Sequence, residues 1–186
     1  MRIKTFNEYI NEQNNNLNEN FWKWFGNSKL ISNNKPNIYY HSSDSKFKIF
    51  DKNKSIYGHH GKGFYFMDSD ITKEYYGKYL YKCYLKVVSP FDLNLDYDIE
   101  FIKKIFGDNY KYIEDFIIEE SELSYNGKIP GYLFYAKLGS NGNDILSSNG
   151  FDSIKHSDII VVFNSNQIKS IDNDGSFDLD DDNIYS

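Results

Sequence analysis

Short strand-like segments, broken by stretches of helical spacing in no regular β-then-α order, restrict this chain to an α+β sheet fold. Strand character falls on residues 38–41, 63–67, 79–88, 151–154 and 159–163, and residues 167–171 extend the last pairing. The run 79–88 is the longest of these and is stopped by Ser89-Pro90. Helical spacing is found over 97–106, 112–120, 132–138 and 143–148, the last closed by Asn149-Gly150. Asp68-Ser69-Asp70 supply side-chain oxygens to cap a further helix reaching about Tyr76. There is no internal repeat.

At 186 residues the chain is long enough for one domain with a sizeable core and short for two. Ahead of that domain, residues 5–12 have amphipathic helical spacing, and residues 14–20 form a polar, asparagine-rich linker. The cluster Phe21-Trp22-Lys23-Trp24-Phe25-Gly26 docks a short helix on the domain or offers rings to a ligand; packing is the commoner use of such rings. We therefore divide the chain into an N-terminal leader, linker and helix over 1–30, a domain over 31–177 and an acidic tail over 178–186. The aspartates from Asp172 onward are expected to leave that end solvated or frayed.

A net charge of −6 argues against a nucleic-acid-binding body, which carries a basic face. Cys83, the one cysteine, lies in an alternating strand-like run and reads as a buried strand residue, since no disulfide or Cys/His zinc cluster is available to it. No apolar run approaches the ~20 residues needed to span a bilayer, and no secretory apolar region is present. The expectation is a soluble protein of a reducing compartment. With 17 Tyr and 15 Phe, a single tyrosine means little outside its context.

Three separated segments supply such context. Tyr40-His41-Ser42-Ser43 ends a short strand with a histidine. Gly61-Lys62-Gly63-Phe64-Tyr65-Phe66-Met67-Asp68 is an aromatic strand entered through two glycines, and Tyr76-Gly77 follows one helix later. Gly61 and Gly63 allow a ligand, or a tight turn, to approach the backbone. Tyr65 alternates with Phe64 and Phe66, so its side chain faces the other way and can line a cleft. Two tyrosines from a strand and the next helix can sandwich a planar cationic ring, each contact contributing roughly 0.5–2 kcal/mol. Taken singly, His41 reads more readily as a member of a hydrogen-bond network, and either tyrosine as an ordinary packing residue. His59 and His60 share a glycine-containing loop that suits solvent or a lid over metal chelation; a site joining His41 to either one is open but has no indicated carboxylate partner, and His156 is the fourth histidine.

The order of these segments resembles the ADP-ribosyltransferases of the His-Tyr-Glu class, which includes diphtheria-type toxins and poly(ADP-ribose) polymerases. Gly150-Phe151-Asp152-Ser153-Ile154, with the run from Val161 to Ser170, resembles the closing strands of ADP-ribosyltransferase domains in polyvalent phage proteins. The similarity covers about residues 38–171 and implies an α+β fold with a split β-sheet core and flanking helices. It further implies NAD as substrate, with His41 holding the 2′-hydroxyl of the nicotinamide ribose and the Ser42 backbone, assisted by Ser43, binding the carboxamide. Tyr65 and Tyr76 would clasp the nicotinamide ring, and Gly63 would lie at the dinucleotide. The family's glutamate falls on Ile159. Asp158 is adjacent and reaches the site if a bulge re-aims it; Glu119, Glu120 and Glu122 are more distant carboxylates. An aliphatic third position goes, within that family, with transfer of single ADP-ribose units or with lost activity.

The function so implied is NAD-dependent mono-ADP-ribosylation by a phage-encoded enzyme acting on a host macromolecule, a host protein first and a nucleic acid second. The alternatives are an NAD glycohydrolase and an inactive NAD- or ADP-ribose-binding or structural virion module. Residues 1–12 resemble the head-targeting leader of internal proteins in large tailed phages, where cleavage follows a Leu/Ile-x-Glu triplet. Ile10-Asn11-Glu12 and Leu17-Asn18-Glu19 both supply that triplet. An ordinary N-terminal helix explains the same residues equally well. The leader reading places the protein in the virion and then in the host cytoplasm.

Overall fold

The computed structural model describes residues 17–55, 57–70, 76–107, 111, 115 and 127–186. The helix expected over 5–12 lies outside the described residues, as does that over 112–120 apart from Asp115; Glu119, Glu120 and Glu122 also lie outside them, and the segment after Asp70 does so in large part. The α+β class holds: each of two compact units carries its own strands and at least one helix.

The first unit comprises Met1–Asp51, Met67–Val88 and Ser165–Ser186. Its centre is the strand Tyr79–Leu85, whose alternation buries Tyr81, Cys83 and Leu85. On one side it pairs antiparallel with Tyr39–Ser43, in the register Tyr39 opposite Cys83 and Ser43 opposite Tyr79. On the other side it pairs antiparallel with Ile168–Ser170. The strand therefore ends three residues short of the expected boundary, and Lys86 and Val87 continue as hydrogen-bonded loop. Gln167 Nε2 donates to the Lys86 carbonyl at 2.9 Å, and Val87 N donates to Ser28 Oγ at 3.0 Å.

The aromatic cluster near the N-terminus is a packing anchor. Glu19–Phe25 is a helix whose N-cap, Asn18, accepts from Phe21 N at 3.0 Å. Phe21, Trp24 and Phe25 are buried together with Phe177 from the far end of the chain. Trp24 also donates its indole N–H to the Asn166 carbonyl at 2.9 Å, so its polar edge is satisfied inside the cluster.

That contact with Phe177 corrects the expectation of a frayed acidic tail. Phe177 and Ile184 are buried, and Ile49 bridges Asn183. Lys169, fully buried, donates from Nζ to the carbonyls of Asp181 at 2.9 Å, Asn183 at 3.0 Å and Ser186 at 2.6 Å. Burial pulls this ammonium below its ordinary value, and Asp181, Asp178, Asp182 and Asp174 push it back up. A run of aspartates signals solvation only when nothing apolar is interleaved and no buried cation faces it; here both conditions fail.

The second unit comprises Lys52–Phe66 and Ser89–Asn164. Ser153–His156 and Ile159–Val162 form an antiparallel hairpin, and Pro90–Asp92 runs parallel to Ser153–His156 on its other side. Asp96–Asp98 pairs with Lys128–Pro130, taking the start of a segment expected to be helical; the helix itself is Ile99–Phe106. The helices Gly131–Leu138 and Gly142–Ser148 cover the core, in which Phe91, Phe106, Phe134, Leu146, Ile154 and Val161 are buried. Among the described residues no helix is long and apolar enough to cross a membrane.

Candidate functional site

In the first unit, His41, Ser42 and Ser43 close the strand Tyr39–Ser43. The His41 ring is half-buried beside Phe50, 5.0 Å between centroids, with Phe47 and Tyr81 at 6.2 Å. These neighbours are themselves fixed, because the Tyr81 hydroxyl accepts from Phe47 N at 2.7 Å and the two rings stack at 4.5 Å. The imidazole thus leaves the strand with an aromatic wall behind it. Ser42 is buried and its backbone is extended, so its side chain costs no strain there.

Tyr76-Gly77 meets the same strand end. Gly77 adopts φ +151°, and a Cβ there would lie 2.5 Å from the Ser43 carbonyl carbon. Only glycine can approach so closely in that conformation. Tyr76 is 67% exposed just before this contact. The structure therefore brings His41, Ser42, Ser43 and Tyr76-Gly77 to one end of one sheet, although they are separated in sequence.

Tyr65 and Gly63 belong to the second unit. Tyr65 is half-buried, and its hydroxyl accepts from His60 N at 3.0 Å and donates to the Gly61 carbonyl at 2.7 Å. Burial raises its phenol above the ordinary value, and the backbone hydrogen bonds from the hairpin oppose that rise. The hydroxyl is thus committed to holding the small hairpin Tyr57–Gly58 and Gly61–Lys62. Gly63 packs flat on the next strand, since a Cβ there would meet Val161 Cγ1 at 2.5 Å.

One side chain that sequence reasoning did not single out organises this corner. Asn143, buried at the start of helix Gly142–Ser148, donates from Nδ2 to the carbonyls of His60 and Lys62, both at 2.9 Å. Its Oδ1 accepts from the Tyr135 hydroxyl at 2.7 Å. An asparagine in a helical pattern reads as an ordinary polar residue, so nothing in the sequence marks it as the clamp on a distant glycine loop.

The third position is resolved in its backbone. Ser157 and Asp158 form the two-residue turn between His156 and Ile159, with Ser157 at φ +54° and its N–H donating to Asn94 Oδ1 at 3.2 Å. Asp158 is therefore an exposed turn residue rather than a strand residue re-aimed by a bulge. Ile159 begins the strand and packs, half-buried, against the core. Directly across the hairpin from Ile159 stands His156, whose Nδ1 lies 3.1 Å from Nε2 of His60. Sequence reasoning gave His156 no role, and the two histidines lie 96 residues apart in the chain.

Cys83 contributes no chemistry to either group. It is fully buried, and burial pushes its thiol far above the ordinary value, so no thiolate nucleophile is available. Among the described residues no cluster of three His, Cys, Asp or Glu side chains could hold a metal ion.

Compared with known proteins, the chain matches the family model described as ADP-ribosyltransferase in polyvalent proteins over residues 32–177. No curated protein matches it. No solved structure matches it either. The match takes in His41, Ser42, Ser43, Gly63, Tyr65, Tyr76, Asp158 and Ile159 together, and the chain belongs to the ADP-ribosyltransferase family of polyvalent proteins.

Proposed function

We propose that the protein is an NAD-dependent mono-ADP-ribosyltransferase, encoded by a phage and directed at a host macromolecule. The observation that carries this reading is the family match, which spans every residue expected to touch NAD. His41 would hold the nicotinamide ribose through its 2′-hydroxyl, with Ser42 and Ser43 at the carboxamide. Tyr76, exposed beside the strand end that carries them, would cover the ring. Tyr65, its hydroxyl committed to the hairpin, would serve through its ring face and not as an acid.

The chemistry follows from charge. Breaking the nicotinamide–ribose bond turns a pyridinium into a neutral leaving group and builds positive charge on the ribose. Groups that fix ring and ribose in the dissociating pose lower that barrier. With isoleucine at position 159, no strand carboxylate is set against the ribose, which favours single transfers over chain extension. The same feature supports a second reading, NAD hydrolysis, because water requires the least positioning of any acceptor.

Incubating the protein with labelled NAD and host lysate should label a macromolecule. Free ADP-ribose without labelling would establish the hydrolase instead, and binding without turnover would leave an inactive module. Digestion of the labelled product by protease or nuclease identifies the acceptor as protein or nucleic acid. His41→Ala and Tyr76→Ala should each lower labelling by about five- to thirtyfold, as expected for losing about 1–2 kcal/mol of ring or ribose contact. Wild-type rates in both variants would remove the site assignment.

A further inference from the structure

We propose that His156, backed by His60, is the base that takes the acceptor's proton during transfer; this rests on the transferase reading above. The two imidazoles form a built pair, with His156 Nδ1 and His60 Nε2 3.1 Å apart and the rings edge to face at 4.9 Å. A contact of that length requires one proton between the two nitrogens, so the pair holds a defined tautomer.

Position makes the pair more than a local hydrogen bond. His156 and Ile159 are direct cross-strand partners, and such partners share one face of the sheet. That face is the one on which the family's carboxylate would stand. Tyr65 and Ile159 both pack against the same core, and the His60 ring lies nearly parallel to Tyr65, 6.5 Å between centroids. The pair therefore stands beside Tyr65 and across from the position that lacks its carboxylate.

The pair is also held in place from several sides. Asn143 fixes the His60 carbonyl, the Tyr65 hydroxyl accepts from His60 N, and the Tyr135 ring meets His60 edge-on at 6.3 Å. The groups facing the pair are the phenols of Tyr65 and Tyr135 and the neighbouring imidazole of His59; the carboxylate of Asp158 lies in the exposed turn two residues after His156. Lys155 points to the opposite face, where it bonds Asp92 at 3.0 Å. Burial, then His156 and His59, hold the His60 imidazole below its ordinary value, so it sheds a received proton readily.

The proton count closes without any other reactant. As the acceptor's oxygen or nitrogen bonds to C1′ of the ribose, nicotinamide leaves with the electron pair of the broken C1′–N bond. The acceptor's proton passes to Nε2 of His156, whose Nδ1 proton moves to Nε2 of His60, and His60 releases its own Nδ1 proton to solvent. A carboxylate at Ile159 would orient the acceptor but, at neutral pH, would be a weaker base than imidazole.

The full chain carries the test: nicotinamide release and label incorporation from NAD are measured against pH for wild type, His156→Gln and His60→Asn. Expected in each variant are a fall in kcat of at least about a hundredfold, a KM for NAD close to wild type, and loss of the acid limb of the pH–rate profile. His156→Glu should restore part of the rate with the limb moved to lower pH. Wild-type kcat and an unchanged profile in His156→Gln would overturn the proposal while leaving the transferase reading intact. If that variant does not fold, an unchanged profile in His60→Asn does the same. No NAD turnover by wild type would sink both.

Discussion

Asn143 shows how much can hang on one uncharged side chain. It bonds two carbonyls of the hairpin and one tyrosine hydroxyl, and all three partners lose a buried bond if it is truncated. Asn143→Ala should cost on the order of 3 kcal/mol, read as a lower urea midpoint with unchanged slope, since each orphaned buried group costs about 1–3 kcal/mol. A loss below about 0.5 kcal/mol would mean that the hairpin holds without it. Cys83 gives the converse case: alkylating reagents should leave it untouched in the folded protein and modify it after unfolding. The cysteine was legible from its alternating surroundings. Asn143 was not, because the two carbonyls it bonds lie more than 80 residues away.

The helix Glu19–Phe25 is too short to be stable alone, so its existence depends on what it packs against. Three buried aromatics and a capping asparagine attach it to the first unit. Trp24→Ala should destabilise that unit by about 3–5 kcal/mol, and Asn18→Ala by about 1 kcal/mol, both measured by chemical denaturation. Equal effects from the two substitutions would mean that the cap, and not the rings, carries the attachment. Strand positions were readable from period-two alternation, as with Phe64–Met67 and Tyr79–Leu85. The short strand Asp96–Asp98 was not, since Tyr97 also fits the helical spacing of the helix that follows. The candidate site divides similarly. His41 and Tyr76 stood out by their motifs, whereas the His60–His156 pair depends on a hairpin register that no local pattern encodes.

Across the whole molecule, the chain end from Asp172 onward is fastened by polar contacts as well as by apolar ones. The carboxyls of Asp174 and Asp181 sit below their ordinary values because Ser176 and Ser186, respectively, hydrogen-bond to them, with backbone amides adding to the effect. A carboxyl depressed in the folded state contributes stability that is complete above its unfolded value of about 3.9. That contribution disappears as pH falls through the lower folded value. Hydrogen exchange should therefore show the amides of Ser176 and Asn183 protected at about pH 6 and released first on acidification, ahead of those in Tyr79–Leu85. Simultaneous loss in both places would mean that this end has no separate stability.

The edge-to-face contact of Phe21 with Phe177, 5.1 Å between ring centroids, has a consequence for how the polypeptide is made. The two rings lie far apart in the sequence, so the first must wait, uncovered, while the residues between them are synthesised. Phe21, Trp24 and Phe25 are then an oily surface available to chaperones, and a translation product that stalls before Phe177 never hides them. Synthesis of Phe177, and not emergence of the first strands, sets the moment at which this part of the protein can close.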